Sequence, residues 1–374
     1  MKCLHISNDF SLTKVHTNLY SHLDELGLEQ IVFNPVRGNT PVGNNAIDFK
    51  TRESKIVYSK QLKKYHRILF RNKINFLFRG LESKCDLNTV EVTHATTLFS
   101  DGALAYKVHQ KYGIPYVVAI RGTDVSLFLK YRPDLMFLMR DILTNADKII
   151  FLSEALKKQF FNNKYVKLLQ LDLNDKISVM FNGIDDFWIS NINKVRSLTP
   201  HKVLYIGRFD NNKNVESLIE GIVSLRSDFK NLELDLVGKG GGNESKVLEL
   251  CEEHKDFIKY HGPIYDKKEL QKVYLSNHIF AMPSHSETFG LVYIEALSQG
   301  LPIVCSKNQG IDGSFSEKIG AYVDSKSIDS ISDGIRQTIK EYDSFEVEKL
   351  DFSVFKWTRI ATAYSEIYKS IVHK

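Results

Sequence analysis

The stretch Ser284-His285-Ser286-Glu287-Thr288-Phe289-Gly290-Leu291-Val292-Tyr293-Ile294-Glu295-Ala296-Leu297-Ser298-Gln299-Gly300 decides how this chain reads. Two carboxylates, Glu287 and Glu295, stand eight positions apart in it. Thr288-Phe289-Gly290 predicts a tight turn, and Leu291 to Gln299 predicts a helix with Gly300 as its C-terminal cap and Pro302 soon after. A helix start carries unpaired backbone N–H groups at the positive end of its dipole, so it attracts phosphate. Glu287 falls just before that start and Glu295 about one turn inside it. One loop-helix unit can therefore hold a diphosphate on backbone amides. One carboxylate is left to accept hydroxyl hydrogens from a sugar, the other from a ribose.

The surroundings extend the pattern. Ile279 to Met282 predicts an apolar strand leading into the turn, and Leu301 to Cys305 a strand after the helix. Upstream, Lys202 to Ile206 reads as a strand running into Gly207-Arg208-Phe209, with Lys213 five residues after Arg208. Two cations on one strand-to-helix loop can clamp a diphosphate, Arg as a planar fork and Lys as a point charge. Leu232 to Val237 predicts a strand ending in Gly238-Lys239-Gly240, where a nucleotide can approach bare backbone.

These residues together resemble the retaining glycosyltransferases of family 4, whose fold is called GT-B. Glu287 and Glu295 match the family's paired glutamates, and Arg208 with Lys213 match its diphosphate-binding cations. Tyr260-His261-Gly262-Pro263-Ile264 resembles its loop against the nucleotide base. The resemblance implies two Rossmann-like domains with parallel sheets facing across a cleft, and a C-terminal helix crossing back to the N-terminal domain. It assigns catalysis to Arg208, Lys213 and Glu287. Donor binding falls to Gly207, Gly238, Ile264, Thr288, Phe289, Gly290, Leu291 and Glu295. The implied reaction moves a sugar from a nucleoside-diphosphate sugar, UDP-sugar favoured, to a glycan or lipid-linked acceptor in cell-surface polysaccharide or glycolipid synthesis. No D-x-D pair occurs in the chain, so no metal and no cofactor is expected. An epimerase, a phosphorylase and a catalytically silent sugar-nucleotide-binding protein are the alternatives. The first needs acid and base carboxylates and the second a pyridoxal-phosphate lysine site, neither of which stands out.

The first half reads as alternating strands and helices, which implies a second parallel sheet. Strands are expected at Cys3–Ile6, Ile31–Phe33, Val90–Thr93, Tyr116–Ile120, Lys148–Leu152 and Ile177–Phe181. Residues 1–190 are expected as the acceptor domain, 191–200 as a polar linker, 201–355 as the donor domain and 356–374 as the last helix. The loop Ser7 to Thr13 lacks the family's glycine pair, with Ser11 about where its second glycine falls. Arg121-Gly122-Thr123-Asp124 resembles a His-Gly-x-Asp segment with arginine in place of histidine. Ser11, Arg121 and Asp124 are therefore candidates for acceptor or donor-sugar contact, and Arg121 with Asp124 also fits a structural pair.

At 374 residues the chain is long enough for two cores, and 43% apolar residues can fill them. Its net charge of +5 divides into +8 for residues 1–195 and −3 for the remainder. The excess concentrates from Lys50 to Arg79, where ten Lys and Arg residues face only Glu53. Interleaved Tyr58, Leu62, Tyr65, Leu69 and Phe76 give that stretch the pattern of a basic amphipathic helix. Two readings stand. Lys60, Lys63, Lys64, Arg67 and Arg71 dock on an anionic membrane surface, or they form a solvated face over a buried stripe. No recognition motif accompanies the charge, so nucleic acid is not an expected partner. Four scattered cysteines, no leader-like start and no long apolar run point to a cytoplasmic protein, peripheral on the inner face of the membrane if the basic stretch binds lipid.

Overall fold

The computed structural model describes residues 1–38, 40–195 and 199–372. The chain divides into two α/β units. The first takes in Met1–Leu152, Leu156–Gly183 and the segment from Trp357 onward; the second is mainly Ile184–Lys356.

In the first unit, seven strands form one sheet. They are β1 (Lys2–Ile6), β2 (Glu29–Asn34), β3 (Lys55–Tyr58), β4 (Val92–Ala95), β5 (Tyr116–Ile120), β6 (Lys148–Phe151) and β7 (Ile177–Val179). Their order is β3-β2-β1-β4-β5-β6-β7 and every pairing is parallel. Central strands such as Tyr-Val-Val-Ala-Ile at β5 are apolar throughout because helices cover both faces, and all five of those residues are buried. The chain reverses its direction of winding between β1 and β4, which opens a crevice at the carboxyl ends of those two strands.

The helix Trp357–Val372 belongs to this unit, although it ends the chain. Its stripe of Trp357, Ile360, Ala361, Tyr364, Tyr368 and Ile371 packs with Leu19, Tyr20 and Leu23 of the helix Lys14–Glu25. Each such side chain stabilises the unit by roughly 2 kcal/mol through burial. The Tyr368 hydroxyl and His94 Nδ1 are 2.8 Å apart in that core. Trp357 lies so close over Gly183 that a Cβ there would stand 2.5 Å from the indole.

In the second unit, six strands form a sheet: β8 (Lys202–Ile206), β9 (Glu233–Val237), β10 (Ile258–Tyr260), β11 (Ile279–Met282), β12 (Ile303–Ser306) and β13 (Gly320–Val323). The order β10-β9-β8-β11-β12-β13 is again all parallel, with its switch between β8 and β11.

Three expectations need correction. The stretch from Lys50 to Arg79 is not one helix: it contains β3, an extended segment, a 3₁₀ turn at Lys64–Arg67 and the helix Phe70–Glu82. Lys55-Ile56-Val57-Tyr58 pairs with Ile31 to Asn34 at the sheet edge, and that partner outweighs the helical spacing of the aromatics. Lys60, Lys63, Lys64, Arg67 and Arg71 therefore do not share a helical face. Second, the division falls between Gly183 and Ile184 and not at 190. Trp188 is buried edge-on against Tyr274, and the Asn193 N–H donates to the Ser298 carbonyl, so the start of the expected linker packs within the second unit. Residues 196–198 of that linker lie outside the described residues. Third, β4 runs two residues later than Val90–Thr93.

Candidate functional site

The loops at the carboxyl edge of the second sheet are built on close backbone approach. Gly238 has φ +143°, and a Cβ on it would lie 1.8 Å from the Gly207 carbonyl oxygen. The Gly238 N–H donates to the Gly262 carbonyl at 3.0 Å, and Phe209 N–H to the Gly240 carbonyl at 2.7 Å. Gly207 itself has the Tyr205 hydroxyl 2.8 Å from its would-be Cβ, and that hydroxyl donates to the Arg208 carbonyl. Close packing leaves no room for a Cβ at Gly207 or Gly238, and the main chain there is half-buried.

Across the switch point, the loop after β8 and the loop after β11 are tied reciprocally. The Asn212 side-chain amide donates to the Ser286 carbonyl at 2.9 Å, and His285 N–H donates to the Asn212 carbonyl at 2.8 Å. Asn214, left-handed at φ +58°, starts the helix Val215–Leu225 and donates to the Pro283 carbonyl. These ties bring Lys213 Nζ to 2.7 Å from Glu287 Oε2, with both side chains mostly buried. The Glu287 main chain is held by Gln309 and Gly310 through bonds of 3.2 and 2.9 Å. Arg208 stands apart: its side chain is 72% exposed and its nearest carboxylate, Asp210, is 3.8 Å away.

Gly290 caps the helix Leu291–Ser298 at φ +83°, where a Cβ would enter the Tyr293 ring at 2.4 Å. Thr288 and Leu291 flank it half-buried, while Phe289 points into the core. Glu295 lies one turn on. Burial pushes its carboxyl up to about 7, although the Tyr274 hydroxyl donates to it at 3.3 Å. Ile264 is half-buried in the loop after β10. In the same region His261 Nε2 is 3.3 Å from Asp235; burial raises Asp235, but the bonds from His261 and Asn277 outweigh it and hold it below its usual value. Arg208, Lys213, Glu287 and Gly290 thus lie on loops of one sheet edge and Glu295 in the helix that follows, and together they supply cations, a helix start and two carboxylates.

The first unit places its candidates differently. Ser11 is fully buried, its hydroxyl donating to Asn34 Oδ1 at 2.7 Å, so it presents no side chain to a ligand. Asp124 is also fully buried and accepts from the N–H groups of Leu98, Phe99 and Arg121. Its carboxyl is pushed up to about 7 by that burial. Arg121 Nε donates to the Thr96 carbonyl. Asp124 and Arg121 order the loops after β4 and β5.

Those loops border a cavity of about 1020 Å³ at the β1/β4 switch point. Lys63, Lys64 and Arg67 line it, as do Arg37, Lys73 and Arg132, which the sequence did not mark as site residues. Arg37 follows the end of β2, Lys73 is in the first turn of the helix after β3, and Arg132 follows the short helix Leu129–Tyr131, so no one local signal joins them. Among the described residues no group of three or more His, Cys, Asp or Glu could hold a metal ion, and no helix is long and apolar enough to cross a membrane.

Residues 188–349, most of the second unit, match the model for glycosyl transferases group 1. An uncharacterized glycosyltransferase of Methanocaldococcus jannaschii is 26% identical over 283 residues, 68% of this chain and 69% of that protein. The chain spans about half the length of most other curated relatives it matches. Sucrose-phosphate synthase from Thermosynechococcus elongatus has the same fold, with a TM-score of 0.73 at 18% identity and 99% of each chain covered. The Anabaena protein HepE in complex with UDP superposes with a TM-score of 0.65 at 13% identity, over 100% of this chain and 99% of that one.

Proposed function

We propose, from the premise that this chain is a group 1 glycosyltransferase with an EC 2.4-type activity, that it works with retention on a nucleoside-diphosphate sugar in the manner of family 4. A UDP-sugar is the favoured donor, bound on the second unit; the acceptor is a glycan or a lipid-linked acceptor bound on the first.

The Lys213–Glu287 contact carries this reading. A diphosphate arriving at Arg208, Lys213 and the helix start at Gly290 offers Lys213 a stronger anionic partner than Glu287. Lys213 turns to the phosphate, and Glu287 is released to accept hydrogen bonds from the donor sugar's hydroxyls. As the glycosidic bond breaks, charge grows on the departing phosphate, and the Arg208 and Lys213 contacts strengthen in step with it. Glu295 accepts from ribose hydroxyls. The acceptor hydroxyl approaches on the face the diphosphate leaves, and a phosphate oxygen takes its proton, so no side-chain base is needed. Two cations and a helix dipole stabilise the leaving group without a metal ion.

The test is transfer from UDP-sugars to a panel of glycan and lipid-linked acceptors in excess EDTA, with product anomers assigned by NMR. Transfer with the donor's anomeric configuration kept is the expected result. Inversion, or strict dependence on Mg²⁺ or Mn²⁺, overturns the reading.

A peripheral site on the inner face of a membrane forms part of the proposal. Ile68 is 78% exposed, with Tyr65 and Leu69 half-exposed beside it, in the segment that carries Lys60, Lys63, Lys64, Arg67 and Arg71. Apolar side chains standing out among basic ones suit an anionic lipid surface.

A further inference from the structure

Six Lys and Arg side chains face the cavity of the first unit, against Asp9 and Asp124. The Asp124 carboxylate is already engaged by three backbone N–H groups. Arg132 is neutralised by two parallel bonds to Asp134, at 2.8 and 2.7 Å. Arg37 and Lys73 have no such partner among the described residues. Arg37 donates to the Asn8 side-chain oxygen, and Lys73 to the Ser100 hydroxyl at 2.8 Å.

Two like charges held toward one half-buried space, each hydrogen-bonded to a neutral group, repel each other, and an anion seated between them relieves that cost. Burial first, and then repulsion from Arg37, bring the Lys73 ammonium down to about 8, against the pull of Asp101 and Asp9. The wall beside them is apolar. Lys73 Nζ lies 5.4 Å and the Arg132 guanidinium 5.7 Å from the centre of the Phe70 ring, and Phe128 and Leu127 continue that surface. Exposed Lys63, Lys64 and Arg67 add a positive field that draws anions in.

We infer that the first unit recognises its acceptor by a phosphate group seated between Arg37 and Lys73, with the adjoining apolar part of the acceptor against Phe70 and Phe128. A phosphate monoester carries close to two negative charges and so matches two cations, whereas one carboxylate leaves a cation unmatched. The inference rests on the proposed assignment of donor to the second unit and acceptor to the first. The phosphate belongs either to a soluble sugar phosphate or to a lipid carrier.

The experiment uses the full chain saturated with UDP, so that the donor edge is occupied. UDP binding is measured first; if the chain does not bind UDP, the proposed function fails and the phosphate titration is read without it. Inorganic phosphate, glycerol 3-phosphate, farnesyl phosphate and acetate are then titrated by calorimetry into wild type, Arg37→Gln, Lys73→Met and Lys73→Arg. Phosphate is expected to bind wild type, to bind Arg37→Gln and Lys73→Met about tenfold more weakly or worse, and to recover in Lys73→Arg. UDP affinity and melting temperature should stay as in wild type. Farnesyl phosphate binding well above glycerol 3-phosphate identifies a lipid-linked source, and equal binding a soluble one. Phosphate affinity unchanged by both charge-removing variants, or acetate binding as well as phosphate, overturns the inference.

Discussion

The two sheets each reverse winding once, and each leaves a crevice at the carboxyl ends of its central strands. The crevices are furnished in opposite ways. At the β8/β11 edge, backbone packs on backbone: Gly238 against Gly207, Gly241 against Phe209, Gly310 against Phe289. Its central cation, Lys213, is paired with Glu287. At the β1/β4 edge, side chains make the surface, and two cations hydrogen-bond to neutral groups. An edge made of main chain suits a ligand part that never changes, the diphosphate. An edge made of side chains can be altered one residue at a time, which suits a site whose ligand differs from enzyme to enzyme. The same topology thus gives one edge of close-packed main chain and one edge lined by side chains.

The sharpest way to break this comparison is to add one methyl group to each edge. Gly238→Ala drives a Cβ to 1.8 Å from a carbonyl that cannot rotate away, whereas Gly38→Ala at the other edge meets only the Gln61 amide at 3.5 Å. Chemical denaturation should show Gly238→Ala destabilised by about 3 kcal/mol or more and Gly38→Ala by less than about 0.5. Similar losses for both would mean the donor edge is no more rigid than its counterpart.

Next in size is the removal of cations. Lys213→Ala and Arg208→Ala should each lower kcat/KM by ~10²-fold, as expected when a contact strengthening toward the transition state is lost. Lys213→Ala also strands the mostly buried Glu287, so its melting temperature should fall, while that of Arg208→Ala, which is exposed, should not. A variant that keeps wild-type kcat/KM takes its residue out of the site.

The edges should also answer pH in opposite senses. Glu295 titrates near 7 because it is buried; the groups around it are Tyr274, Asp185 and Lys267. Ribose hydroxyls need an ionised acceptor, so UDP affinity should rise with pH through about 7 and weaken by about tenfold toward pH 5.5, in step with protonation of this one carboxyl. Glu295→Gln should flatten that slope. Lys73 titrates near 8 among Arg37, Arg132, Asp101 and Asp9, so phosphate affinity at the first edge should instead decline as pH rises past about 8. Slopes of the same sign would undo the contrast.

The smallest expected effect concerns the membrane. Changing Lys60, Lys63, Lys64, Arg67 and Arg71 to Gln should cut sedimentation with anionic vesicles several-fold at low salt. The difference should shrink in physiological salt, where charges reach only about 8 Å. Equal sedimentation of the two proteins would leave Lys63, Lys64 and Arg67 to the cavity and Lys60 and Arg71 to solvent.

The edge proposed for the donor was legible because its residues lie close together in the chain. Gly207 to Lys213 and Glu287 to Glu295 are each a few residues long, and a glycine, a cation and a helix start keep their meaning wherever the chain carries them. The acceptor edge was not. Arg37, Lys73 and Arg132 come from three separate segments and meet only because β3, β2, β1, β4 and β5 are laid side by side. Lys73 was visible as one charge among ten, and nothing in its neighbours set it apart from Arg71, which is exposed. Ser11 and Asp124 misled for a related reason, since a polar side chain in a loop after a strand looks the same whether it faces a ligand or ties the loop to its neighbour.

Strand and helix order, the parallel sheets and the loops proposed to bind phosphate followed from local periodicity and from short motifs, where each residue's effect is exerted on its immediate neighbours. The β3 strand inside the basic stretch, the boundary at Gly183 and the cavity between Arg37 and Lys73 depended on partners tens of residues away. The free energy of a sheet edge, a buried tryptophan or a pair of like charges belongs to such partners, and the chain acquires them only when it folds.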